Sequence, residues 1–142
     1  MIIREVNKDE KDIKELIQID KATFGDISEN VSDIKKVIES PNYKILVASY
    51  DDKLVGFVGL MFVNTLHYDA MWIDLLAVSP DYRNKGIATE LVKKAVQHSK
   101  TLNLEFISAL VRTDNHGSLK TLDKFGFKHE GNEFKLLIKD AI

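Results

Sequence analysis

Cysteine is absent from this 142-residue chain, which excludes disulfides, thiol nucleophiles, cysteine-ligated zinc and iron–sulfur clusters. Long hydrophobic runs are absent as well, since no stretch approaches the ~18 apolar residues of a membrane-spanning helix. The opening segment Met1–Glu5 does not lead into the apolar core of a secretion signal. We therefore expect a cytoplasmic protein that associates with no membrane.

Proline and glycine are scarce, with two and seven residues, and they form no linker, repeat or low-complexity tract. With 44% hydrophobic and 30% charged residues, the composition is that of a folded globular protein. The length suits one domain, which we place at residues 1–142. Twenty basic and twenty-two acidic residues give a net charge of −2, which argues against a nucleic-acid-binding protein.

Hydrophobic periodicity predicts one α/β domain in which about four helices cover a mixed, mostly antiparallel sheet of about six or seven strands. Strands are predicted at residues 2–6, 45–48, 54–60, 71–78 and 104–111, with closing strands at Phe127 and 134–138. Helices are predicted to begin near Asp9 or Asp12, near Ser28, at Ile87, and at Asp114 or Asn115. The turn sequence at 51–53 would join two strands in a hairpin. Glycines at 56 and 59 indicate strand positions that a neighbour or a cofactor approaches closely.

Candidate chemistry concentrates where the strand ending at Val78 runs through a loop into the strongest amphipathic helix. The first turn of a helix presents unpaired N–H groups and the positive end of the helix dipole, which together bind phosphate. Gly86 would let an anion approach the backbone, and Arg83 and Lys85 add positive charge beside it. The pattern favours a pyrophosphate-like ligand, although a solvated basic loop would look the same. It differs from both the nucleoside-triphosphate loop and the dinucleotide glycine motif.

The segment 76–88, Leu-Ala-Val-Ser-Pro-Asp-Tyr-Arg-Asn-Lys-Gly-Ile-Ala, resembles the acetyl-coenzyme A motif of the GNAT N-acetyltransferase superfamily, Arg/Gln-x-x-Gly-x-Gly/Ala. Asn115 followed by Lys124–Phe127 resembles that family's second signature, an asparagine leading a helix that ends in Gly-Phe. The resemblance extends from Ile3 to about Ile138. It implies a GNAT-like sheet that is splayed at its central strands. The implied reaction is transfer of an acetyl group from acetyl-CoA to a primary amine, by direct attack in a ternary complex.

The resemblance also implies residue roles. Backbone groups of Leu76 and Val78 would pair with the pantetheine arm, and the Leu76 amide would stabilise the charge developing on the thioester oxygen. The implied cofactor-binding residues are Leu76, Ala77, Val78, Arg83, Asn84, Lys85, Gly86, Ile87, Ala88, Thr89, Asn115 and Phe125. No metal is expected, because the four histidines lack metal-ligand spacing.

Asp74 is the candidate general base. An alkylamine is almost wholly protonated at pH 7, so a group of the protein or a water must take its proton. Asp74 lies on the strand beside the implied thioester site, and strict alternation would place it on one face with Trp72, Leu76 and Val78. The alternative interpretation is a strand carboxylate that faces water.

One departure from the family pattern bears on the chemistry. Many relatives have a tyrosine four residues before the Gly-Phe pair as a general acid, whereas this chain has Leu122, so we assign no general acid. A non-catalytic acyl-CoA-binding module therefore stays open. A third hypothesis is a nucleotide-binding protein of another class. The acceptor, a small molecule or a peptide, would contact the acidic segments Phe24–Val31 and Glu130–Asn132. A homodimer is possible.

Overall fold

The computed structural model describes residues 1–25 and 30–141. Its helices are α1 Glu10–Phe24, α2 Val31–Glu39, α3 Ile87–Thr101 and α4 His116–Asp123. Its strands are β1 Ile2–Glu5, β2 Tyr43–Tyr50, β3 Lys53–Asn64, β4 Asp69–Val78 and β5 Phe106–Ala109, and a short 3₁₀ turn follows β4 at Pro80–Tyr82. The expected start of α2 at Ser28 lies outside the described residues. None of the helices within the described ranges has both the length and the hydropathy needed to cross a membrane.

The described residues form one five-stranded sheet in the order β1-β2-β3-β4-β5. The first three pairings are antiparallel and the pairing of β4 with β5 is parallel. The predicted hairpin between β2 and β3 is confirmed. Asp51 and Asp52 have φ angles of 48° and 62°, the left-handed conformation that a tight two-residue hairpin requires.

The expected count of six or seven strands is wrong, because the two closing strands are not formed. Phe127 belongs to the end of α4 instead, since its N–H donates to the Leu122 carbonyl over 3.3 Å after Gly126 turns the chain at φ 84°. Residues 134–138 lie outside any strand, and Phe134 is 78% exposed. The apolar pattern of this segment predicted a strand, but no described strand pairs with it.

Helix α1 is fixed to the sheet by charged groups at its first turn. The Asp9 side chain caps the helix by accepting from the Asp12 N–H at 2.8 Å. The buried Asp12 carboxylate accepts from both Arg4 guanidinium nitrogens, at 2.6 and 3.0 Å, and from the Asn7 N–H at 2.8 Å. These bonds, the guanidinium foremost, lower the pKa of Asp12. They join the first turn of α1 to β1.

The two faces of the sheet carry separate hydrophobic clusters. The main core lies between the sheet and the helix α3, whose Leu91, Val92 and Ala95 are fully buried. The second cluster lies on the opposite face, where α1 supplies Ile13 and α2 supplies Ile34. The sheet is therefore a central layer with helices on both sides.

Candidate active site

One edge of β4 is unpaired over its carboxyl-terminal half. β5 pairs with β4 only from Ala70 to Ile73, and no described strand lies beside Asp74–Val78 on that side. On its other side, β4 stays paired with β3 as far as Val78. The two parallel strands therefore part at Ile73 and leave an opening along β4.

The main-chain groups of Leu76 and Val78 are directed into this opening. Antiparallel pairs alternate between bonded and non-bonded positions. The Ser79 N–H donates to the Val55 carbonyl at 2.8 Å, which makes the pairs of Val78 with Gly56 and of Leu76 with Val58 the non-bonded ones. The N–H and C=O groups of Leu76 and Val78 therefore point away from β3.

Asp74 occupies a β-bulge. Leu75 pairs with Gly59 and Ile73 pairs with Leu60, so Asp74 is the extra residue on β4. The bulge resets the alternation: Ile73 and Leu76 pack against the main core, and Leu75 packs against the second cluster. The expectation that Asp74 shares a face with Leu76 and Val78 is wrong for this reason. Asp74 lies on the α1 side of the sheet instead.

Tyr43 of β2 reaches across β3 to Asp74. Its hydroxyl donates to Asp74 Oδ2 at 2.7 Å, passing over Gly59 on the intervening strand. A Cβ atom on Gly59 would collide with the Tyr43 hydroxyl oxygen, so glycine is what leaves room for this side chain. This confirms the interpretation of Gly59 as a position of close approach. Burial, together with the Asp74 carboxylate, raises the pKa of Tyr43, which therefore stays protonated.

Asp20 of α1 is a second acidic side chain that the charge of Asp74 affects. Asp20 is only 7% exposed. Burial, and next the negative charge of Asp74, raise the pKa of Asp20. Among the described residues, no lysine, arginine or histidine forms an ion pair with Asp20 or Asp74. Sequence reasoning missed Asp20 and Tyr43, because only the folded sheet and helix bring them to Asp74.

The first turn of α3 lies just beyond the end of β4. Gly86 is its N-cap at φ 80° and makes no side-chain capping bond, and the Glu90 N–H is the first to donate back, to the Gly86 carbonyl at 3.1 Å. Three N–H groups before Glu90, on residues 87–89, therefore have no partner within the helix. The Arg83 Nε donates to the Val78 carbonyl at 3.1 Å, and Lys85 Nζ lies 5.2 Å from the Tyr82 ring centroid. The loop is thus tied to the end of β4 and carries positive charge.

The chain matches the Acetyltransferase (GNAT) family over residues 12–127. It belongs to that family. The expectation of an N-acetyltransferase enzyme is confirmed at this level, and the parting of β4 from β5 agrees with the splayed central strands that the resemblance implied.

Similar proteins extend the comparison. A protein of Bacillus subtilis (strain 168), provisionally named a ribosomal protein bS18-alanine N-acetyltransferase, is 27% identical over 121 residues, covering 85% of this chain and 78% of its own length. The spermidine N(1)-acetyltransferase of Escherichia coli (strain K12) is 31% identical over 97 residues, covering 68% of this chain and 51% of its own. The chain thus spans only about half of that relative.

Solved structures share the fold of this GNAT chain. An aminoglycoside acetyltransferase from an uncultured soil metagenomic sample superposes with a TM-score of 0.83 at 16% identity, covering 97% of this chain and 96% of its own. A protein of Bacillus halodurans C-125, described as a transcriptional regulator, gives a TM-score of 0.83 at 21% identity, covering 96% and 99%. At these identities the likeness shows the architecture alone.

The residues of the second GNAT signature surround α4. Asn115 is its N-cap, accepting from the Ser118 N–H at 3.2 Å, and Phe125 follows its end and packs against the main core. Leu122 is 5% exposed within that core. The position at which the resemblance implied a tyrosine is therefore used for packing in this chain. Within residues 1–25 and 30–141, no three histidine or acidic side chains are grouped to hold a metal ion.

Proposed function

We propose that this GNAT protein transfers the acetyl group of acetyl-CoA to a primary amine, by direct attack of the amine in a ternary complex. The observation that carries the proposal is the opening along β4. The main-chain groups of Leu76 and Val78 that are not paired with β3 lead to the unpaired N–H groups of α3, and Asp74 lies at the bulge beside the opening.

The residues at this opening fit a coenzyme A molecule. The unpaired N–H groups of α3 suit a pyrophosphate, and the space beside Gly86 is open, since a Cβ there would meet no atom within 4 Å. Lys85 and Arg83 supply positive charge at the same end of β4. The polar main-chain groups of Leu76 and Val78 suit the amide groups of the pantetheine arm. To bind that arm, the Val78 carbonyl would give up the hydrogen bond that it accepts from Arg83. The bound coenzyme supplies the activated acetyl thioester.

Residues 76–78 and 83–89 are continuous with the opening along β4. The residues that we propose to bind coenzyme A are the complete set expected from the sequence: Leu76, Ala77, Val78, Arg83, Asn84, Lys85, Gly86, Ile87, Ala88, Thr89, Asn115 and Phe125. Asn84 supports the loop with a left-handed φ of 61°, which asparagine tolerates better than most residues. The Leu76 N–H, directed into the opening, would donate to the oxygen on which negative charge develops.

Asp74 serves as the general base. Oδ2 accepts from Tyr43, and Oδ1 makes no hydrogen bond with any described residue, so it can take a proton from the acceptor ammonium. The freed amine nitrogen forms the new C–N bond as the C–S bond breaks, and the electron pair of that bond leaves with sulfur. The nitrogen then loses a second proton to give the neutral amide product. That proton goes to solvent or to the thiolate.

No side chain is assigned as general acid. Leu122 has no proton to give and is packed in the core. Tyr43 is a poor substitute, because burial and its bond to Asp74 raise its pKa and hold its proton. We therefore expect the thiolate to leave without a proton donor from the protein.

The test is an acetylation assay on defined acceptors. Relatives are named for spermidine and for alanine acetylation, and a solved neighbour contains sisomicin, so acetyl-CoA would be incubated with spermidine, with sisomicin and with a peptide that begins with alanine. We expect the mass of one acetyl group on at least one acceptor and an equal amount of free thiol. Gly86→Val should abolish both, because a branched side chain would fill the open space in which the pyrophosphate is proposed to lie.

Two results would contradict the proposal. If the protein binds acetyl-CoA in calorimetry but acetylates none of the acceptors, the buried Leu122 favours a non-catalytic acyl-CoA-binding module instead. If ATP raises the melting temperature as much as coenzyme A does, the anion site is a general nucleotide site.

A further inference from the structure

The edge of the sheet at β5 is unpaired on the side away from β4. β5 is the last strand in the sheet order of the described residues, and its one described partner is β4. Natural edge strands discourage further pairing with charged side chains, proline or a bulge, and Phe106–Ala109 has none of these. The opposite edge strand, β1, carries Arg4 and Glu5. The β5 edge is therefore the better template for one more strand.

Large apolar side chains lie exposed beside this edge. Phe106 stacks on Tyr68 with 4.8 Å between the ring centroids, yet it remains 43% exposed. Leu110, directly after the strand, is 70% exposed. These residues alternate with Ile107 and Ala109, which pack against the main core. One face of the sheet at β5 thus presents apolar surface to solvent.

The segment that follows α4 presents a second apolar surface. Phe134, Leu136 and Ile138 are 78–82% exposed, and they alternate with Lys135, Leu137 and Lys139 in the period-two pattern of a strand. Contiguous exposed apolar surface of this kind marks an interaction site. Within its own chain the segment pairs with no described strand. The chain therefore has an unpaired sheet edge and a strand-forming segment that do not pair with each other.

We propose that the protein forms a dimer in which the segment 134–138 of each copy adds to the β5 edge of the other copy. The inference does not depend on the proposed acetyl transfer. Because one chain supplies both the edge and the segment, a second copy is a sufficient partner. The exchange is reciprocal, so a two-fold axis relates the copies and the assembly closes at two. Residues 128–133 can span up to roughly 20 Å, which lets the segment reach a neighbouring copy.

The exposed apolar area matches what a stable dimer needs. The side chains that the exchange would cover are Phe106, Leu110, Phe134, Leu136, Leu137 and Ile138. Side chains of this size each bury on the order of 100–150 Å², so together they would remove about 700 Å² of each copy from water. A standard interface takes roughly 800 Å² from each partner, and the added strand also contributes main-chain hydrogen bonds. The patch is therefore large enough to hold two copies together.

The test is the mass of the protein in solution, measured by sedimentation equilibrium over a wide range of concentration. Wild type should approach twice the mass of one chain. Leu136→Lys changes the added segment and Leu110→Lys changes the face beside β5, so each should raise the Kd of the dimer at least about 100-fold by placing a charge in the contact. Ile2→Lys is the matched control, because it makes a similar change at an exposed residue of β1 and should leave the Kd unchanged. The three residues are exposed within one chain, so the variants should keep the circular dichroism of wild type.

Hydrogen exchange distinguishes a strand from the second copy from a strand of the same chain. The amides of 134–138 should be protected in the dimer and should lose that protection on dilution. Protection that is independent of concentration would overturn the inference, because the segment would then pair within its own chain. So would the mass of a single chain at every concentration, a series of masses beyond two chains, or a dimer that neither Leu136→Lys nor Leu110→Lys dissociates.

Discussion

Replacing Gly59 with alanine tests the arrangement of the acceptor site through one added methyl group. The new Cβ would overlap the Tyr43 hydroxyl oxygen and would lie 3.0 Å from the ring carbon that bears it. Tyr43 must then swing away, which breaks its hydrogen bond to Asp74. The backbone at Gly59 has no left-handed conformation to lose, so the effect should come from the side-chain collision.

The magnitude follows from two opposing contributions. A hydrogen bond to a charged carboxylate contributes about 1.5–3 kcal/mol, and the exposure of Asp74 favours the lower part of that range. Replacing a strand glycine by alanine returns about 0.5–1 kcal/mol through the lower entropy of the unfolded chain. We therefore expect Gly59→Ala to lower the free energy of unfolding by about 0.5–1.5 kcal/mol, and kcat/KM to fall because Asp74 is no longer oriented.

A double-mutant cycle with Tyr43→Phe gives the decisive assay. Phenylalanine has no hydroxyl, so the hydrogen bond and the overlap with the hydroxyl oxygen disappear, while the close contact of the new Cβ with the ring carbon at 3.0 Å remains. In that background Gly59→Ala should therefore lower the free energy of unfolding less than in wild type, as measured by urea unfolding, and it should leave kcat/KM unchanged. An equal loss of stability in both backgrounds would refute the reasoning, because the cost would then arise elsewhere on β3.

Two further predictions concern the elements that position the site. Asp12→Asn should lower the free energy of unfolding by about 1.5–3 kcal/mol at pH 7, because Arg4 loses its charged acceptor. Because the pKa of Asp12 is lowered in the folded protein, the stability that its charge contributes is lost as the pH falls below about 3.8. Urea unfolding from about pH 7 to about pH 3 should therefore show a shrinking difference in stability between the variant and wild type. A constant difference would contradict the role of the charge. Arg83→Ala should weaken acetyl-CoA binding about tenfold in calorimetry, since the loop loses its bond to the Val78 carbonyl; an unchanged Kd would mean that other contacts hold the loop.

Local signals in the sequence were enough to predict most of the fold. The predicted cap at Asp9 or Asp12, the turn at 51–53 and the cap at Asp114 or Asn115 each act over a few residues, and the structure has caps at Asp9 and Asn115 and the turn at Asp51–Asp52. The glycine before the amphipathic helix likewise indicated the free N–H groups at the start of α3, where Gly86 is the N-cap. Such features depend on neighbouring residues alone, so they can be predicted directly from the sequence.

The acceptor side of the site depends on the fold. A bulge inserts one residue at Asp74 without any sign in the period-two pattern, and it moved this carboxylate to the other face of the sheet. Tyr43 donates to it from a different strand, and its charge acts on Asp20 of α1, an arrangement set by register and by helix packing. The prediction of a closing strand at 134–138 was wrong for a related reason, since strand propensity does not specify which strand a segment pairs with.

The pH dependence of Asp74→Asn tests the central claim most directly. Asparagine keeps the shape of the side chain and removes its basicity, so kcat/KM for the acetylated amine should fall roughly 10–10⁴-fold near neutral pH, the usual range for a positioned general base. The deficit should shrink as the pH approaches the pKa of the acceptor, where hydroxide has already freed the amine, and acetyl-CoA affinity should match wild type. A deficit of constant size from about pH 6 to 10 would contradict the account and assign Asp74 to amine binding, and no deficit at all would make it a strand carboxylate that faces water.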